Sequence, residues 1–269
     1  MTGPVVAVLG LGEAGSRIAR DLLAAGAVVR GYDPAVSAAA VAEGIEETAS
    51  EAAAARGADL VLSVNSAKAA VEALQAGLPG LPVHALWADL NTASPGTKLQ
   101  LAGIAEAAGV PFADVAMMAP VPGRGLRVPM LASGNGAARY ASLLSPLGAG
   151  IEVIDGPPGL AAVKKLLRSV FYKGMAAAAV EALDAARAAG HERWLREHIA
   201  AELAAADAGT LARIVGGTRR HALRRTAEME AAVGMLAELG VPPLIAEASR
   251  AVHARLSEAE GGRPALPRL

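Results

Sequence analysis

The chain has no cysteine, only two Trp, three Tyr and two Phe, and almost no excess of either charge, with a net of −1 over 269 residues. Without cysteine, disulfides, thiolate nucleophiles and Cys-ligated metals are excluded. With 53% apolar residues but 3% aromatic, the apolar content is Ala, Leu and Val, which favours helices packed closely through small side chains. A near-zero net charge provides no basic field to attract nucleic acid or an anionic membrane. The apolar run Met175–Val180 is too short to cross a bilayer. Met1–Leu9 lacks a basic region followed by a signal-length apolar core, so a cytoplasmic protein is expected. The five histidines, His84, His191, His198, His221 and His253, show no metal-ligand spacing, and no metal is expected.

Lysine is scarce too. Of 25 basic residues only Lys68, Lys98, Lys164, Lys165 and Lys173 are lysines, and three of these fall within ten positions. A chain that uses arginine almost everywhere has kept, in one place, the cation that can lose a proton near neutral pH.

What is present has a clear rhythm. Short apolar runs at Val5–Leu9, Val28–Tyr32, Ala58–Val64, Val83–Asp89 and Val110–Met118 read as strands. Between them, Gly15–Ala25, Ala38–Ala55, Ala67–Leu74 and Thr97–Ala108 read as helices. Nearly continuous apolar strands alternating with helices indicate a parallel sheet covered on both faces. Past Gly156-Pro157-Pro158-Gly159 every segment has helical period. Leu160–Ala189 is one uninterrupted stretch, which at about 1.5 Å per residue spans roughly 45 Å. Further helices are predicted at Glu192–Ala205, Thr210–Val215, His221–Leu239 and Leu244–Leu256, with a frayed tail at Gly261–Leu269.

Gly10, Leu11, Gly12, Glu13, Ala14 and Gly15 form G-x-G-x-x-G between the first strand and the first helix. The first glycine permits a tight turn, the second a close approach of backbone to a pyrophosphate, and the third close helix–strand packing. The pyrophosphate then rests on free N–H groups at a helix N-terminus. Asp33 ends the second strand eighteen residues after Gly15. A carboxylate there accepts from a ribose 2′-hydroxyl and repels a 2′-phosphate, favouring NAD, with NADP possible. The fold class is therefore α/β. A Rossmann doubly wound parallel sheet occupies 1–158, and an all-α domain with a long interdomain helix occupies 159–269. Val64 and Asn65, after another strand end, are expected to line the same cleft.

Lys165, Arg168, Ser169 and Tyr172 share one face of the long helix. A partly desolvated lysine there can act as general acid or base towards a carbonyl or alcohol oxygen. From the helix alone, Lys164 remains open as the alternative.

Together these residues resemble the β-hydroxyacid dehydrogenase family, which includes 3-hydroxyisobutyrate and 6-phosphogluconate dehydrogenases. The resemblance runs through Gly10-Leu-Gly-Glu-Ala-Gly15, Asn91-Thr-Ala-Ser-Pro95, Phe112-Ala-Asp114, the lysine helix and Leu236-Ala-Glu-Leu-Gly-Val-Pro242. It is nearest to phosphogluconate-dehydrogenase-like members of uncharacterised substrate. The resemblance implies that Lys165 is the proton-transfer residue and that Asn91 or Thr92 approaches the nicotinamide ribose. Arg168, Ser169 and Tyr172 become substrate residues. Arg224 or Arg225 supplies a cation near the cofactor, and Arg225 is taken as that residue. The family's Ser-Gly-Gly carboxylate cradle is replaced by Met118, Ala119 and Pro120, which implies a substrate outside the usual small hydroxy acids. The expected function is hydride transfer between a nicotinamide and a CH–OH or C=O carbon. Imine reduction, or dinucleotide binding without turnover, are the alternatives. A homodimer through the C-terminal helical domain is expected from its apolar, Ala-rich helices and from the family.

Overall fold

The computed structural model describes residues 3–260, so the tail predicted at 261–269 lies outside the described residues. It divides into two compact units, Met1–Arg168 and Ser169–Leu269.

The first unit is built on an eight-stranded sheet: β1 Val5–Leu9, β2 Val28–Tyr32, β3 Glu46–Glu47, β4 Leu60–Ser63, β5 Leu86–Asp89, β6 Phe112–Met117, β7 Met130–Ser133 and β8 Ile151–Val153. Their spatial order is β3-β2-β1-β4-β5-β6-β7-β8. The six strands from β3 to β6 are mutually parallel; β7 runs antiparallel to β6, and β8 is parallel to β7. The order 3-2-1-4-5-6 is the doubly wound dinucleotide-binding topology, confirming the expected class.

Alternation along the strands sends side chains into two cores. Val6 and Val8 of β1, Leu60 and Leu62 of β4, and Leu86 and Ala88 of β5 face one layer. Helices α1 (Glu13–Ala24), α2 (Ala38–Val41) and α6 (Ala137–Leu144) cover it. Ala7, Leu9, Val61 and Trp87 face the other. That layer is covered by α3 (Glu51–Ala55), α4 (Ala70–Gly77) and α5 (Pro95–Ala107). Trp87 is fully buried, and a side chain of that size is worth about 3–5 kcal/mol there.

One expectation is corrected. The single helix over Ala38–Ala55 is instead α2, β3 and α3. Gly44 takes a left-handed φ of 95°, which ends helical propagation. Arg30 and Gly31 of β2 then recruit Glu46 and Glu47 as an edge strand, and Ser50 restarts the helix by accepting from the Ala53 N–H. Beyond Met118 the chain adds β7, α6 and β8, which short, Gly-interrupted runs did not reveal.

Helix α7 (Leu160–Ala188) is as long as predicted, 29 residues or about 44 Å. The two compact units divide inside α7, between Arg168 and Ser169. The second unit contains the rest of α7 with α8 (Glu192–Ala204), α9 (Thr210–Arg220), α10 (Ala222–Glu238) and α11 (Leu244–Glu260). Its core is small, centred on Ala185, Leu236 and Ala246. The Glu181 carboxylate accepts from the N–H groups of Ile245 and Ala246 and so caps α11.

Candidate active site

Parallel register places Tyr32, Leu9, Ser63, Asp89 and Asp114 in one row, at the carboxyl ends of β2, β1, β4 and β5 and midway along β6. The strand order reverses between β1 and β4, where open α/β sheets bind ligands.

The glycine turn occupies that switch point. A Cβ on Gly10, whose φ is 97°, would lie 2.7 Å from the Asn65 backbone and from the Val64 carbonyl oxygen. A Cβ on Gly15 would lie 1.8 Å from the Gly10 carbonyl oxygen. Both positions are closed to side chains by packing. Gly12 differs, because nothing lies within 4 Å of its Cβ direction. Gly12 also caps α1 without any side-chain hydrogen bond to the helix end. The N–H groups of Glu13, Ala14 and Gly15 thus open onto a space that a pyrophosphate can enter.

The Asp33 carboxylate ties this turn to β2. Its Oδ2 accepts from the Leu11 N–H at 2.7 Å, and its Oδ1 from Ala35 and Val36 at 2.8 and 3.1 Å. A carboxylate has about four acceptor positions, which leaves room for a ribose hydroxyl. Ser37 donates to Glu47 at 2.6 Å, bringing a second carboxylate to this end of β2. Glu47 was hidden from sequence reasoning by the expected helix over Ala38–Ala55. These residues fit the adenine ribose of a dinucleotide.

On the other side of the switch point lies a buried polar network. The Asn91 amide donates to Ser63 Oγ, Asn65 Oδ1 and Asp89 Oδ1 at 3.0, 2.8 and 2.6 Å. Lys98 of α5 is 1% exposed. Its Nζ donates to the Asp89 carbonyl at 2.7 Å and sits 2.6 Å from Asp89 Oδ2 and 3.1 Å from Asp114 Oδ1. The two carboxylate contacts are at ion-pair distance but out of line for hydrogen bonds. Asp114 Oδ2 accepts from the N–H groups of Gly159 and Ala162, so β6 caps α7. The sequence reading passed over Lys98 because a lysine in a helix is ordinarily solvated; its burial follows from strand register.

Lys165 is half-buried and lines, with Asn91, Thr92, Lys98, Val115 and Ala116, a crevice too narrow to hold a water molecule, whereas Lys164 is exposed. The crevice brings together the lysine helix and the segment after β5. Val64 is buried and Asn65 exposed at the β4 end, beside Gly10. Met118 is drawn into a cluster with Leu131 and Leu160, Ala119 packs on the first core layer, and Pro120 is exposed. The crevice wall from β6 is formed by Val115 and Ala116 instead. Arg168 and Tyr172 are exposed, and Ser169 is half-buried. Arg225 belongs to the helical unit, where it donates to Thr218 Oγ1 at 2.8 Å. His198 stacks on Trp194. Among the described residues no group of three His, Asp or Glu gathers as a metal site, and no helix is long and apolar enough to cross a membrane.

The doubly wound sheet and its glycine turn are those of a dinucleotide-binding protein, and comparison with known proteins agrees. Residues 5–125 match the NAD binding domain of 6-phosphogluconate dehydrogenase, and residues 186–256 match a domain of unknown function (DUF1932). A conserved hypothetical protein from Sinorhizobium meliloti 1021 is 30% identical, with 94% of this chain and 88% of that one covered and a TM-score of 0.61. The conserved protein MTH1747, described as structurally similar to 3-hydroxyacid dehydrogenases, is 27% identical over 95% of this chain and 98% of that one, with a TM-score of 0.59. An imine reductase from Myxococcus stipitatus in complex with NADP+ shares the fold, at 18% identity over 97% and 96% of the two chains and a TM-score of 0.79. No curated protein matches significantly in sequence. The chain belongs to the β-hydroxyacid dehydrogenase-like family of NAD(P)-dependent oxidoreductases.

Proposed function

We propose that this oxidoreductase interconverts an alcohol and a carbonyl, with Lys165 carrying the oxygen-bound proton and NAD preferred over NADP. The observation that carries this reading is the crevice that joins Lys165 to Asn91 and Thr92 beside the switch point. A bound nicotinamide supplies the hydride acceptor in oxidation and the hydride donor in reduction. Gly12 and the first turn of α1 hold the pyrophosphate, and Asp33 accepts from the adenine ribose hydroxyls. Val64, Asn65, Asn91 and Thr92 border the nicotinamide half. Lys165 takes the proton from the substrate hydroxyl in one direction and returns it to the carbonyl oxygen in the other. As an ammonium it also stabilises the developing alkoxide. Arg168, Ser169 and Tyr172 continue its face of α7, and the Met118-Ala119-Pro120 segment follows β6. The preference for NAD is supported by the carboxylates of Asp33 and Glu47.

Purified protein is to be assayed by nicotinamide absorbance with NAD and NADP on hydroxy acids, other alcohols, and their carbonyl and imine counterparts. Turnover of an alcohol with NAD, falling about 10²-fold or more in Lys165→Ala but not in Lys164→Ala, is expected. Full activity in Lys165→Ala overturns the assignment. Imine reduction is the second reading, favoured by the missing Ser-Gly-Gly element and by the imine reductase of the same fold. Imine turnover that survives Lys165→Ala establishes it.

We further propose a homodimer through the helical unit. On α7, Val170, Phe171 and Val180 are 76%, 52% and 61% exposed, and α8 and α9 bury no residue. A second copy of the chain covers this apolar surface. A cytoplasmic location is proposed on the need for a soluble intracellular dinucleotide.

A further inference from the structure

Lys98 is a cation withdrawn almost completely from water, and proton transfer as described above makes no use of it. Its partners Asp89 and Asp114 are both 0% exposed. Taking three charges out of water is costly, and an apolar cluster of the same volume would hold the sheet as well. What an apolar cluster cannot do is hold two carboxylates at neighbouring register positions, Asp89↔Asp114, without mutual repulsion. Lys98 lies between them.

Asp114 then acts on α7. Its Oδ2 accepts from Gly159 and Ala162 at 2.9 and 3.1 Å. Ser133, paired with Asp114 across β6 and β7, accepts from the Ala161 N–H at 3.2 Å and donates to Asp114 at 3.3 Å. The Leu160 N–H donates to the Pro157 carbonyl. The first turn of α7 is thus fully engaged, two of its bonds going to one carboxylate. Lys165 follows Ala161 by four residues and Ala162 by three, on the same helix face. A shift of that turn moves Lys165 directly, and about 1 Å of misplacement can cost on the order of 10²-fold in rate. The same network reaches the opposite wall, because Asp89 also accepts from Asn91.

We propose that Lys98 is a positioning residue for proton transfer at Lys165, holding the first turn of α7 in place through Asp114. The inference rests on the assignment of Lys165 made under Proposed function.

The experiment combines Lys98→Met with the parent and with Lys165→Ala, measuring single-turnover hydride transfer on the best substrate of the panel, and NADH binding by fluorescence. Lys98→Met is expected to slow the parent about tenfold or more, with NADH affinity changed less than about threefold. On the Lys165→Ala background the same substitution is expected to change the residual rate less than about twofold, because coupled sites are not additive. Equal losses on both backgrounds would mean a merely structural role and overturn the proposal. A normal rate in Lys98→Met beside a slow Lys165→Ala overturns this inference alone. A Lys165→Ala protein as fast as the parent overturns the Lys165 assignment and this inference with it. Should Lys98→Met not fold, Ser133→Ala removes one bond to α7 and leaves all three charges in place. It is expected to slow the parent about threefold and to leave Lys165→Ala unchanged; equal effects on the two backgrounds overturn the proposal.

Discussion

The two units of the chain solve the problem of burial differently. The sheet unit closes on itself: the central strands β1, β4, β5 and β6 send side chains into two cores, and polar side chains at 0% exposure are engaged by neighbours in the row. The helical unit has one small cluster around Ala185, Leu236 and Ala246, with large apolar side chains left in water. A sheet sandwiched by helices finds enough partners for its apolar surface within its own chain. An Ala-rich helical assembly of about one hundred residues has little volume to fill its interior and leaves apolar faces uncovered, which is the ground for the proposed dimer.

The contrast is broken most forcefully in the sheet unit. Trp87→Ala is expected to cost about 3–5 kcal/mol, measured by urea unfolding. Trp194, which is 64% exposed on α8, is expected to cost within about 0.5 kcal/mol when replaced by Ala in the same assay on a chain kept monomeric by Phe171→Asp. Comparable losses at the two tryptophans would remove the distinction between the units.

Next come the glycines. Gly15→Ala is expected to destabilise by about 1–3 kcal/mol, because its Cβ has nowhere to go. Gly12→Ala is expected to keep the parent's unfolding midpoint and still weaken NADH binding about tenfold or more, since its Cβ enters the space left for the pyrophosphate. Unaltered NADH affinity in Gly12→Ala would move the dinucleotide away from this turn.

In the helical unit, Phe171→Asp is expected to convert the proposed dimer into monomer by light scattering, while circular dichroism stays that of the parent. A dimer that persists would shift the interface away from this part of α7.

The smallest effect is expected where α7 ends. Arg187 and Arg196 hold the Glu192 carboxyl down to about 2. A carboxylate with a depressed value in the folded state contributes stability above its ordinary value near 4.5. That contribution is lost as pH falls from there towards 2. Because this pair is exposed, solvent screens it, and Glu192→Gln is expected to leave the unfolding midpoint at neutral pH unchanged within error. A clear drop would show that this corner is protected from solvent in the assembled protein.

Much of this was legible in the residues. The glycine turn, Asp33 and the length of α7 follow from local rules: a tight turn needs glycine, a strand ends at Asp-Pro, and an uninterrupted helical period continues until a Gly at position 190. Glu47 was not legible, because Ala- and Glu-rich sequence on both sides of Gly44 favours helix until the edge of β2 recruits it. Lys98 was not legible either, since its neighbours Thr97, Leu99 and Gln100 give it no mark of burial.

The sequence by itself determined the class of cofactor and the identity of the ionisable helix, because both rest on contacts within a few residues along the chain. Only the tertiary structure leaves Lys165 half-buried and Lys164 exposed, and only it assembled Ser63, Asp89, Asp114 and Ser133 around Lys98. That row depends on the register of β4, β5, β6 and β7. Register is decided by how four separated segments pack, which no one of them encodes.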